Sequence, residues 1–77
     1  MAKHTIISSD YYNALYTDNK LALSGKPDSL DAETLARVYP SASFYGMESD
    51  VYLDLLDGND YPADIEQLPL ERLTRYR

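Results

Sequence analysis

Apolar positions along the chain fall into short runs whose spacing predicts both strands and helices. Thr5, Ile6, Ile7 and Ser8 form a β-branched run, and the aromatic-rich segment 11–17 suits a pleated surface. Asp18 and Asn19 separate that segment from Leu21, Ala22 and Leu23, and both residue types tolerate the left-handed backbone of a tight turn. The expected element is a β-hairpin whose return strand places Leu21 and Leu23 on one face by the two-residue period, until Gly25-Lys26-Pro27 stops it.

The period then changes. Asp31 is placed to cap a helix, Glu33 favours the positive end of its dipole, and Leu30 can staple onto Leu35. Leu35, Val38 and Tyr39 supply the buried stripe and Pro40 ends the helix. Segment 42–47 reads as a further strand, with Gly46 as a candidate bulge. Ser49 or Asp50 is expected to cap a second helix in which Val51 pairs with Leu55 and Tyr52 with Leu56, ended by a left-handed Gly58. Pro62 opens a short third helix to about Leu68, and segment 70–76 fits a strand or a frayed end.

These elements give an α+β expectation: one compact domain over 1–77, an antiparallel sheet of the hairpin plus one or two more strands, and two or three short helices in a ββαβα-like order. The expected core is Leu15, Leu21, Leu23, Leu35, Val38, Phe44, Val51, Leu55 and Leu56. A chain of 77 residues without cysteine has neither disulfides nor thiolate metal sites to staple it, so packing or a partner must stabilise it. With no apolar run of membrane-spanning length and no signal-peptide pattern, the expectation is a cytoplasmic protein without membrane association.

Charge sharpens the functional reading. Thirteen acids against seven bases give a net charge of −6, a sign that repels phosphate backbones and disfavours direct nucleic-acid binding. No lysine or arginine occurs between Arg37 and Arg72, whereas Glu48, Asp50, Asp54, Asp57, Asp60, Asp64, Glu66 and Glu71 all do. Arg72, Arg75 and Arg77 then form a basic tail able to pair with those acids. Eight tyrosines accompany one phenylalanine and no tryptophan. Tyr12, Tyr16, Tyr39 and Tyr52 are expected in the core, and Tyr11, Tyr45, Tyr61 and Tyr76 at a surface, where a stiff ring with a polar tip favours protein contacts.

Catalytic and metal chemistry find little support. His4 is the only imidazole, Ser8-Ser9-Asp10 has no base to activate a hydroxyl, and the glycines form no phosphate loop. In segment 54–60, Leu55 and Leu56 fill slots where an EF-hand needs oxygens. The expectation is a non-enzymatic binder without cofactor or metal. Its partner-binding residues would be Glu48, Asp50, Asp54, Asp57, Asp60, Asp64 and Glu66 with Tyr45 and Tyr61, and its state a monomer or weak dimer.

In overall character the chain resembles the small phage-encoded anti-CRISPR proteins: short, acidic, cysteine-free, rich in tyrosine and with a base-free stretch from Glu48 to Glu71. The resemblance rests on no motif and carries over no functional residue. It implies a stoichiometric inhibitor in the host bacterial cytoplasm. Such an inhibitor would dock on a basic nucleic-acid-binding protein, such as a Cas subunit of a Cascade-type complex, and block target DNA by mimicry or by steric obstruction. The terminal arginines depart from a pure DNA mimic. A host interaction module, such as an antitoxin or adaptor, is the alternative class.

Overall fold

A computed structural model describes residues 2–57 and 59–77. In chain order the elements are β1 (His4–Ser8), β2 (Asn13–Thr17), β3 (Lys20–Gly25), α1 (Ala32–Val38), β4 (Ser43–Gly46), α2 (Ser49–Leu56) and β5 (Thr74–Arg75), with 3₁₀ turns at Ile65–Gln67 and Leu70–Arg72. The five strands form one sheet in the order β3-β2-β1-β4-β5. The protein is therefore a small α+β domain, with five strands where three or four are expected and a mixed sheet in place of an antiparallel one. β1 pairs antiparallel with β2 but parallel with β4, in the register Thr5 to Ser43 through Ser8 to Gly46. The chain runs through the hairpin and α1 before returning beside β1, and that long crossover is what allows a parallel pair.

The hairpin turn forms as its residues dictate. Asp18 and Asn19 have φ of 51° and 69°, the double left-handed backbone of a type I′ turn. Asp18 also accepts a hydrogen bond from the Lys3 N–H, which holds the amino-terminal segment against the turn. The return strand departs from simple alternation. Tyr16 pairs with Leu21 but Leu15 pairs with Leu23, so Ala22 is an extra residue bulged out of β3. Leu21 and Leu23 thus project to opposite faces, and Leu23 is 48% exposed instead of belonging to the core. Gly46 forms no bulge; it sits under the Tyr76 ring, where a β-carbon would collide.

Both faces of the sheet are covered, so three consecutive residues of its central strand, Thr5, Ile6 and Ile7, are all buried. On one face Ile6 and Leu15 pack under α1 with Leu35 and Ala42. On the other, Ile7, Ala14 and Tyr16 pack with Met47, Tyr52 and Leu56 and with Tyr61, Ile65, Leu68 and Leu73 from the carboxyl-terminal third. Ile6 and Ile7, absent from the expected core, are completely buried, whereas Val38 lies on the outer side of α1 at 62% exposure.

Capping fixes the helix ends. The Asp31 carboxylate accepts from the Thr34 N–H and hydroxyl at the start of α1. Arg77 occupies its other end, its guanidinium donating to the carbonyls of Ala36, Tyr39 and Ala42, where a cation complements the negative end of the dipole. α2 is capped by the backbone of Glu48, with no side-chain hydrogen bond, instead of by Ser49 or Asp50. It ends at Asp57 in the left-handed conformation; the terminator expected at Gly58 lies outside the described residues. The third helix expected from Pro62 contracts to the 3₁₀ turn at Ile65–Gln67, started by the Asp64 side chain. In the described residues no helix is long and apolar enough to cross a membrane.

Candidate protein-docking surface

α2 presents two different sides. Tyr52 and Leu56 are buried and Val51 and Leu55 half-buried against the sheet, as their four-residue pairing requires. Asp50, Leu53, Asp54 and Asp57 therefore line the outer side, and all are exposed. Leu53 stands at 51% exposure in the middle of these carboxylates. Helical rise places Asp50 and Asp54 about 6 Å apart along the axis, so the leucine is flanked by negative charge.

The loop before β2 lies against the first turns of α2. Ser49 donates its hydroxyl to the Asp10 carboxylate at 2.7 Å, and the Tyr11 ring stacks on Tyr52 at 4.9 Å between centroids. Ser9 fixes this loop, since its hydroxyl accepts from the Tyr12 N–H and donates to the Tyr12 carbonyl. Tyr11 remains 42% exposed, so its ring leaves one edge at the surface near the start of α2.

The remaining expected site residues disperse. Glu48, Asp60 and Glu66 are exposed; Tyr45 is half-buried beneath Arg75, whose guanidinium lies 5.9 Å above its ring. Asp64 accepts from the Lys20 ammonium at 2.8 Å, and that hydrogen bond holds its carboxyl below its usual value. Asp54 pairs with Arg72 at 2.9 Å, so the basic tail does neutralise part of the acidic field. Both pairs lie at the surface, where water and salt screen them. Tyr61 is a correction to the sequence reading. It is 4% exposed, donates its hydroxyl to the Tyr12 carbonyl at 2.7 Å, and packs edge-on to Tyr52, so it belongs to the core. Burial pushes its hydroxyl up to about 12.

Open clefts lie among the described residues, and two of them adjoin α2. One, of about 260 Å³, lies at the carboxyl ends of β1 and β4 between Ser9, Asp10, Glu48, Thr74 and Tyr76. The other, of about 220 Å³, opens beside the carboxyl end of α2. Both are smaller than the roughly 300 Å³ at which small-molecule sites usually begin. They suit single side chains of a partner better than an enclosed substrate.

Sequence reasoning had passed over Leu53. Its signal was present: it is the leucine of α2 that belongs to neither of the two core-facing pairs, and it sits between Asp50 and Asp54. No family model matches the chain, and no curated protein or solved structure matches it.

Proposed function

We propose that this protein is a stoichiometric binding module that docks the outer side of α2 on a basic macromolecular surface, and that the surface it covers normally holds nucleic acid. One observation carries the reading: an exposed leucine framed by the exposed carboxylates of Asp50, Asp54 and Asp57 on one side of α2. Apolar burial supplies affinity in such an arrangement and the surrounding carboxylates supply steering and selectivity. Burying the exposed half of Leu53 contributes about 1 kcal/mol.

Magnitudes favour obstruction over mimicry. Six net charges spread over a longest dimension of 32 Å amount to about one per 5 Å. Duplex DNA carries one per roughly 1.7 Å, three times as dense. The protein therefore blocks a groove by occupying it while its charge guides the approach. A Cas subunit of a Cascade-type complex is the target expected from the anti-CRISPR resemblance.

The test is target-DNA binding by a purified Cascade-type complex, with the parent protein and an Asp50→Lys/Leu53→Ala variant as competitors. The parent is expected to inhibit at near one-to-one ratio and to lose potency as salt rises, since the screening length contracts from about 10 Å at 0.1 M to about 3 Å at 1 M. The variant is expected to be at least tenfold weaker and to remain folded, with a small loss of thermal stability because the lysine stands in the first turn of α2 and opposes its dipole. Equal potency of a folded variant would remove α2 from the interface.

A further inference from the structure

The cleft beside the carboxyl end of α2 has a chemistry that the docking surface alone does not use. Buried Leu56 and Leu68 form its floor, half-buried Leu55 and Pro62 its walls, and exposed Asn59, Asp60 and Gln67 its rim. α2 ends here with no basic residue in its last turn and with Asp57 at its cap, and the cation that does reach that turn, Arg72 on Asp54, does not line the cleft. Contrast α1, whose corresponding end is filled by the Arg77 guanidinium. Asp60 makes no ion pair among the described residues.

We infer that this cleft receives an arginine side chain of the partner. Its methylene stem would lie on Leu56 and Leu68, and its guanidinium would meet the Asp60 carboxylate, the amide oxygens of Asn59 and Gln67 and the carbonyl end of α2. A cavity of about 220 Å³ holds one long side chain. Guanidinium suits it better than ammonium, because the planar, weakly hydrated cation rests flat on apolar walls while its forked donors reach a carboxylate and an amide together. At the end of α1 an arginine of this molecule already meets helix-terminal carbonyls through its guanidinium. The inference rests on the reading of the acidic side as a docking surface and names the residue that it recognises there.

The experiment titrates N-acetyl-arginine amide into the isotopically labelled protein at fixed ionic strength, following backbone amide shifts, with N-acetyl-lysine amide in parallel. Saturating shifts are expected at Leu55, Leu56, Asn59, Asp60, Gln67 and Leu68, several-fold larger with the arginine probe. Asp60→Asn should raise the dissociation constant about tenfold, the worth of one charge-assisted hydrogen bond, whereas Glu33→Gln, on α1 at the other face of the sheet, should leave it unchanged. Equal response to both probes, shifts spread over all exposed carboxylates, or an unaltered Asp60→Asn variant would each overturn the assignment. Loss of partner binding in the Asp50→Lys/Leu53→Ala variant with full binding by Asp60→Asn would remove the cleft and leave the docking surface standing.

Discussion

Tyr61 shows how one side chain can look like a surface anchor in sequence and act as a keystone in the fold. Its hydroxyl meets the carbonyl that Ser9 also contacts, so Tyr61→Phe leaves that carbonyl with one donor and should cost about 1 kcal/mol. In a domain of this size that is a fall of roughly 4 to 8 °C in Tm, measurable by thermal unfolding. Tyr61→Ala should cost about 3 to 5 kcal/mol through the cavity it leaves, and loss of function there would report unfolding and not a lost contact. The phenylalanine variant should bind a partner as well as the parent does. Titration gives an independent check. Burial raises the hydroxyls of Tyr61, to about 12, and of Tyr16 and Tyr52, so the folded protein keeps protons that the unfolded chain releases above about pH 10. Stability is then fully present below about pH 9.5 and falls as pH rises toward 12, with Tyr61 contributing on the order of 1.4 kcal/mol per unit. Urea midpoints between pH 8 and 11.5 should stay level to about pH 9.5 and then drop, less steeply in Tyr61→Phe; a flat profile would contradict the burial.

At the scale of elements, the β2–β3 turn depends on two residues holding positive φ. Asn19→Val puts a β-branched side chain at 69° and should cost about 1 to 2 kcal/mol in urea unfolding, whereas Asn19→Gly should stay within about half of one. That turn was legible because Asp and Asn at adjacent positions have a specific local chemistry. α1 was legible for the same reason, with Asp31 at its cap and Pro40 beyond its end. The bulge at Ala22 was not, since nothing in Leu21-Ala22-Leu23 distinguishes a strand with an extra residue from a regular one, and its effect on Leu23 followed from pairing with Leu15. The parallel partnership of β1 with β4 was equally hidden, because strand order is decided by which covered faces fit and not by either strand alone. In the site, the exposed acids of α2 were legible from spacing. The ion pairs that Asp54 and Asp64 make were only partly so: the basic tail announced a partner, but Arg72 for Asp54 and Lys20 for Asp64 depend on how distant segments meet.

For the whole molecule, the strand that stands in the middle of the sheet is the first in the chain, and this governs the rate at which the structure can assemble. Hairpin pairing is local, but Thr5 must wait for Ser43, 38 positions further on. Closing that loop costs roughly 3 kcal/mol of chain entropy before any parallel contact is gained. The barrier to folding should therefore contain the β1–β4 seam. Ile6→Val, at the centre of that seam, should slow folding with more than half of its stability loss expressed in the folding rate. Tyr76→Ala, on the exposed segment after β5, should leave the folding arm of the chevron untouched and speed unfolding alone. A sheet that grew outward from the hairpin would give the opposite ranking, with Asn19→Val slowing folding most, so the three variants in one kinetic series decide where this chain commits to its native state.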